Sequence, residues 1–361
     1  MLSIANKPLM DWMLRLLKMH EVDELMVSAY QYPEEIRDYF GDGSRWALRV
    51  WYSHEPALSG NAAHLKRLEG FFGNQAFIVL DGGILSDIDI GKLIDFHKDK
   101  RASMTVGLVK KENSQGRKIY LAEDGVRINK LQKDYLGRAK EPGYKSCGVC
   151  VLESRIFEYI PEKKPFDFEE DLLPELLKTD EEICGFVHDG YWLDVRSLGD
   201  FREANFDILS KRVNIKTSGA GALPKDGIWV GERTEIHKSV QMRPPVSIGN
   251  DCLIREGTRL VGPAIIGDHS IIDKDVTFQR AIVWGRGYIG KDSRINGALI
   301  GDSTYISSDV EICEEVTVGL NCIVGPRSRI CEGVTLRPGT VVAKDSKVDY
   351  PTGNKTKSVC N

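Results

Sequence analysis

AFIVLDGGILSDID, residues 76–89, opens with an unbroken apolar run of β-formers and closes on acids and glycines. A run of that kind predicts a short strand buried on both faces of a parallel sheet. It stops at Asp81-Gly82-Gly83, where two glycines allow a sharp turn or the close approach of a ligand. Ligands of open α/β sheets bind at the carboxyl ends of such strands. An acidic, glycine-rich strand end suits a metal and a phosphate; a plain strand-to-helix turn explains the same residues as well.

The flanking chain alternates in the manner of an α/β sheet. Leu9, Met10, Met13, Leu14 and Leu17 recur at helical spacing and predict a helix over 8–20. A strand over 24–29 follows, then a helix opened by Pro33 and closed by Gly41, a strand over 48–52 and a helix near 61–72. Beyond the central strand, residues 90–100 read as helix and 104–109 as strand. This order predicts a largely parallel, three-layer sheet. Residues 118–133 read as a hairpin turning at Glu123-Asp124-Gly125. A strand over 149–152, a helix over 168–177, a strand over 191–195 and a helix capped by Ser197 and ending near Leu209 complete this half. Residues 211–226 lose periodicity and gain Gly, Ser and Pro, as a linker would.

The remainder obeys a different rule. Apolar side chains fall at 248, 254, 260, 266, 272 and 278; the period breaks around 279–288 and resumes from 300 to 342. A strict repeat of six fits neither a helix nor an ordinary strand. It fits coils of three short strands, each turning one aliphatic side chain inward, over 227–345, with a polar tail at 346–361. Cys313 and Cys331 lie 18 residues apart, one coil, and should stack. Cys147 and Cys150 form a Cys-x-x-Cys pair without a second pair at ligand spacing, and read as packing thiols in a buried strand rather than zinc ligands.

With 361 residues, 42% apolar and 28% charged, the chain is sized for two globular domains. A net charge of −4 leaves no global basic field to recruit nucleic acid. No apolar run reaches the ~20 residues that cross a bilayer, and the first residues lack the pattern of a signal peptide. Eight scattered cysteines fit reduced thiols in the cytoplasm.

An α/β domain of residues 1–210 followed by hexapeptide coils resembles the sugar-1-phosphate nucleotidyltransferases, above all the mannose-1-phosphate guanylyltransferases and their glucose-1-phosphate relatives. The resemblance rests on IANKPL at 4–9, YFGDGS at 39–44, VLDGG at 79–83, LSDIDI at 85–90, FDFEEDLLPELL at 166–177 and GYWLDV at 190–195. It implies a Rossmann-like, GT-A-like α/β nucleotidyltransferase domain and a left-handed parallel β-helix. It also implies a reaction of a nucleoside triphosphate with a sugar 1-phosphate to give a nucleotide-sugar, GDP-mannose among the candidates, and pyrophosphate. Such a site positions two anions and neutralises them with Mg²⁺, held by two carboxylates, and with cationic side chains.

Several family features are altered here. The glycine-rich GGxGTRLxPLT loop and its Pro-Lys-Pro are absent, and Met1 falls just after that point, as a misplaced start codon, a truncation or real divergence would produce. The first metal carboxylate of the family is replaced by Gly83; the second corresponds to Asp194. Asp81 lies two residues before Gly83 and serves a metal only if the loop bends. Gln132-Lys133-Asp134 keeps only the lysine of the sugar-phosphate motif. The loop beside base and sugar reads Ser59-Gly60-Asn61-Ala62, and the sugar-contacting Asn-Ala-Gly reads Ser146-Cys147-Gly148.

The resemblance thus assigns Lys133 to catalysis and Asp194 to magnesium. It assigns Ser59, Gly60, Asn61, Asp81, Gly82, Gly83 and Gly148 to substrate binding. Lys133 reads equally as a solvated hairpin lysine, and Asp194 as a helix cap. Asp87 and Asp89 read as caps of the helix from Ile90, and His54, His64 and His188 come with no partner set for catalysis. Two functions remain: an Mg²⁺-dependent transferase of impaired activity, or a silent homologue that binds a nucleotide-sugar and regulates or scaffolds an active paralogue. Homo-oligomers or hetero-oligomers with such a paralogue are expected. A solenoid acyltransferase fits poorly, since His269 comes with no long inserted loop.

Overall fold

The computed structural model describes residues 1–55, 60–110, 116–134, 143–162, 165–215 and 226–349. These form two compact units, one built mainly from Leu9–Val195, the other from Leu2–Pro8, Arg196–Val213 and the C-terminal coils. The hairpin of β1 (Ser3–Ile4) and β2 (Lys7–Pro8) precedes α1 (Leu9–Met19). Next come β3 (Glu24–Ala29), α2 (Pro33–Phe40), β4 (Arg49–His54), α3 (Asn61–Arg67), α4 (Glu69–Phe72), β5 (Phe77–Leu80), β6 (Ile84–Ser86) and α5 (Ile90–Lys100). The first unit continues with β7 (Met104–Lys110), β8 (Gly116–Leu121), β9 (Ile128–Asp134), β10 (Tyr144–Leu152), α6 (Leu173–Leu176), β11 (Ile183–Val187) and β12 (Trp192–Asp194).

Its main sheet runs β11-β7-β10-β8-β9, with β5 added on β10. Only β11 and β7 pair in parallel there; β10 lies antiparallel to β7, β5 and β8. The sheet is therefore mixed, where the alternation of strand and helix had pointed to a largely parallel one. The central strand departs from expectation in the same way. Among the described residues β5 pairs with β10 alone, antiparallel, and Ile78, Val79 and Leu80 are half-buried rather than enclosed on both faces. The antiparallel partner comes from the long strand that follows the β8–β9 hairpin, a direction that apolar periodicity does not encode. Helix ends follow local chemistry: the Asp89 side chain accepts from Lys92 N, and Gly41 closes α2 at φ +54°.

α7 (Leu198–Leu209) packs within the second unit. Phe201 packs on Trp284 with ring centroids 5.2 Å apart, and Arg202 meets Glu315 at 2.7 Å. Asn6, between β1 and β2, donates to Ser247 Oγ and to the Ile266 carbonyl, both at 3.0 Å. Ser197 and Asp200 form a capping box at the start of α7.

The coils form a parallel β-solenoid of three seven-stranded sheets among the described residues, from Ile228–Val230 to Lys347–Val348. Its core is a column of aliphatic side chains such as Ile254, Leu260, Ile272, Ile306 and Ile330, each fully buried. The column does not lapse where the hexad pattern breaks. Val283, Ile289 and Ile295 continue it, because two corners are one residue short: Phe278 is followed inward by Val283, and Ile295 by Ile300. Thr277 pairs with Arg294, 17 residues on, whereas Arg259 pairs with Thr277, 18 on. The shortened corners turn at Arg280 (φ +47°) and Gly297 (φ +61°).

A second inward column holds short polar side chains that donate to carbonyls of the next coil. Thr234 donates to Gly249 O, Cys252 to Gly267 O, Thr304 to Gly319 O and Cys322 to Arg337 O. Burying these groups costs little because each has its partner. Cys313 and Cys331 follow paired Ile312 and Ile330 and stack one coil apart as free thiols.

Ile306 is fully buried while its neighbour Tyr305 is 47% exposed, stacked on Tyr288. Ile306→Ala is expected to cost about 2–5 kcal/mol and Tyr305→Ala about 1 kcal/mol or less, read as denaturation midpoints of the two variants. Equal losses would contradict the assignment of inward and outward positions.

Candidate functional site

The β5 strand end is held by its own acid. Asp81 N donates to Gly148 O at 2.7 Å, and Asp81 Oδ1 accepts from Gly83 N at 2.9 Å, which folds the two glycines back into β6. β6 pairs antiparallel with β12, so Asp194 stands opposite Ile84, and Val195 N donates to Gly83 O at 2.9 Å. Asp81, Gly82, Gly83 and Asp194 are thereby gathered at one strand end. Gly83 has ordinary negative φ, and a Cβ there would meet only Asp81 Oδ1, at 3.4 Å. Its lack of a side chain is not imposed by space or backbone.

Gly148 is different. The β10–β7 register shifts between Ser146 and Cys150, and Gly148 in that bulge has φ +75°. A Cβ at Gly148 would lie 3.0 Å from that of Asp81, so the residue is a close-packed support for the strand end. Cys147 and Cys150 flank it, buried and free, with burial pushing the Cys147 thiol up to about 12. Both behave as packing thiols.

Lys145, just before the bulge, places its ammonium 3.5 Å from Asp194 Oδ2. The same ammonium lies 5.3 Å from the centre of the Trp192 ring, whose Nε1 donates to Cys147 O at 2.8 Å. The acid expected to hold magnesium thus faces a protein cation. Magnesium needs a near-octahedral set of oxygens. In a phosphate site it is ordinarily held by one or two carboxylates, with substrate phosphates and waters completing the shell. One Asp81 oxygen accepts from Gly83 N, Gly83 brings no carboxylate, and an ammonium beside Asp194 repels a second cation. The donor set at this strand end does not fit Mg²⁺.

A second cluster lies on the hairpin. Lys133 on β9 stands opposite Arg117 on β8, and both reach Glu170 Oε2 at 2.7 Å. Lys133 first, with Arg117 behind it, holds the Glu170 carboxyl below its ordinary value. Burial pushes neighbouring Glu169 the other way, against the Ser146 hydroxyl, Lys145 and Arg117. Residues 166–171 are tied to the start of α3: Asn61 Oδ1 accepts from Phe168 N at 2.8 Å, and Ala63 N donates to Phe166 O at 3.0 Å. A Cβ at Gly60 would fall 2.4 Å from Phe166 O, so only glycine fits. Gly60 and Asn61 therefore shape the wall of the site, and Ser59 lies outside the described residues.

Lys145, Arg117, Glu169 and Glu170 escaped the sequence reading. For Lys145 a signal was present: a lysine directly before Ser146-Cys147-Gly148 at the mouth of an apolar strand. The histidines stay outside both clusters; His64 pairs with buried Glu55, and His188 with Asp87 at 3.4 Å.

The nucleotidyl transferase family profile matches residues 1–211. The chain belongs to that family. Relatives include sugar-1-phosphate nucleotidyltransferases, and the matches are long enough to extend into the solenoid. A UTP–glucose-1-phosphate uridylyltransferase of Synechocystis is 26% identical over 83% of this chain and 81% of that protein. A mannose-1-phosphate guanylyltransferase of Mycobacterium tuberculosis is 25% identical over 85% and 75%. A glucose-1-phosphate adenylyltransferase of Bacillus mycoides is 23% identical over 81% and 82%. In three dimensions HddC of Yersinia pseudotuberculosis superposes with a TM-score of 0.51, covering 58% of this chain and 88% of its own at 21% identity, a likeness of fold. No helix of the described residues is long and apolar enough to cross a membrane.

The depressed Glu170 carboxyl makes the hairpin cluster pH-sensitive with a definite sign. A carboxyl whose folded value lies below its unfolded one, about 4.3 for Glu, stabilises above that value and loses the contribution as pH falls through the folded one. Wild type is expected to exceed Glu170→Gln in unfolding midpoint at pH 7, with the gap narrowing as pH falls below about 4.3. A constant gap across that range would contradict the ion pairing of Glu170 with Lys133 and Arg117.

Proposed function

We propose that this nucleotidyl transferase family member binds a nucleotide-sugar and has lost most of the transfer chemistry, serving as a regulatory or scaffolding homologue of an active relative. The observation that carries this reading is the Lys145–Asp194 pair at the strand end, beside a glycine where the family resemblance places a carboxylate. Transfer of a nucleotidyl group needs the charge on the α-phosphate and the leaving pyrophosphate to be neutralised in the transition state. Loss of one well-placed stabilising group of this kind costs ~10²–10³ in rate. Gln132, where a carboxylate is expected, lowers the same capacity further.

Binding groups survive better than reacting ones. Gly60 and Gly148 are required by their surroundings, Lys133 and Arg117 remain cationic beside Glu170, and the glycine turn at 82–83 is open. An alternative is an active transferase of impaired rate making a nucleotide-sugar such as GDP-mannose. The relatives' names favour it, as does the retention of Asp194 and Lys133. Seven free cysteines among the described residues support a reducing, cytoplasmic setting.

The test is release of pyrophosphate from GTP with mannose 1-phosphate, and from UTP with glucose 1-phosphate, alongside calorimetric titration with GDP-mannose and UDP-glucose. The expected outcome is saturable binding of one nucleotide-sugar with turnover at least ~10²-fold below that of the Synechocystis relative. Turnover equal to that relative would overturn the reading in favour of the active enzyme.

A further inference from the structure

We propose that the Lys145 ammonium is a built-in cation of this site, which takes the diphosphate of a nucleotide-sugar directly, without a divalent metal. The inference rests on the reading above that the ligand carries phosphates, and concerns how they are held.

The first support is charge. A dication between two carboxylates is a neutral assembly before the ligand arrives. Here Gly83 stands where the resemblance places one carboxylate, and the Lys145 ammonium faces the other. A tethered cation thus already stands where the resemblance places a divalent one.

The second support is geometry. The Lys145–Asp194 separation of 3.5 Å is looser than the 2.7–2.9 Å of a tight charge-assisted bond. An ammonium carries three donors, so two further protons are available to a ligand. The Lys145 side chain is 24% exposed, accessible from outside, while Asp194 is 10% exposed and acts as its anchor. The Trp192 ring flanks the ammonium and is itself fixed by Cys147 O. Nothing lies within 4 Å of a Cβ position at Gly82, and only Asp81 does at Gly83. The space beside the pair is therefore open to phosphate oxygens.

The third support is placement. Lys145 precedes the bulge whose Gly148 carbonyl receives Asp81 N, so the ammonium, the glycine turn and Asp194 are positioned by one short length of β10 and the strands it supports. Lys145 is then a binding residue for this family fold, at a position where its charge replaces a diffusible ion with a tethered one.

The experiment is calorimetric titration of the full chain with inorganic pyrophosphate, UDP-glucose and GDP-mannose, each in EDTA and in millimolar Mg²⁺. Wild type is expected to bind at least one probe in EDTA, with an affinity that Mg²⁺ changes by less than about threefold. Lys145→Met should weaken binding by ~10–100-fold in both buffers, and Lys145→Arg, which keeps a cation beside Asp194, should restore much of it. Absence of binding in EDTA, a tenfold or greater gain from Mg²⁺, or unchanged affinity in Lys145→Met would each overturn the proposal. Turnover decides the functional reading separately: an active chain that still binds in EDTA through Lys145 would sink that reading and leave this one standing.

Discussion

An ammonium standing 3.5 Å from a carboxylate at the mouth of a sheet fixes what the α/β unit can do. Electrostatics at a partly buried strand end are set by the few charges nearest it, since such pairs are screened less than exposed ones. With Lys145 against Asp194 the local field is that of a protein ion pair. The remaining acid, Asp81, is bound to its own turn. Around this pair the departures from the family pattern at Gly83 and Gln132 concern charges.

That architecture explains why some site residues tolerate change and others do not. Gly60 and Gly148 have backbone angles and neighbours that exclude a side chain, so they persist for reasons of space alone. Gly83 has no such requirement, and its neighbourhood would accept a Cβ. Asn61 spends its carbonyl oxygen on Phe168 N, which joins the loop before α3 to residues 166–171 and carries Glu169 and Glu170 toward Arg117 and Lys133. Position, more than residue type, survives along this wall.

Much of this was legible in the sequence, for physical reasons that can be named. The hexad column needs one aliphatic side chain per strand and announces itself without alignment. The helices at Asp89 and Ser197 are marked by caps whose hydrogen bonds are local, and the one at Pro33 by proline at its first position. The corners after Phe278 and Ile295 were illegible because a one-residue deletion shifts the period while leaving the coil closed. The antiparallel partner of β5 was hidden, since strand direction depends on a connection some seventy residues away. The packing of Phe201 on Trp284 was hidden too, being a contact no local pattern records. Lys145 was overlooked because its significance lies in the distance to Asp194, which only the fold supplies.

The most direct test is anomalous diffraction from crystals soaked with manganese and a nucleotide-sugar, which locates the ion and the phosphates in one experiment. The account predicts phosphate oxygens within ~2.7–3.2 Å of Lys145 Nζ, with Lys145 still facing Asp194 and no manganese at that carboxylate. A manganese peak on Asp194 with the Lys145 ammonium displaced from it would contradict the account.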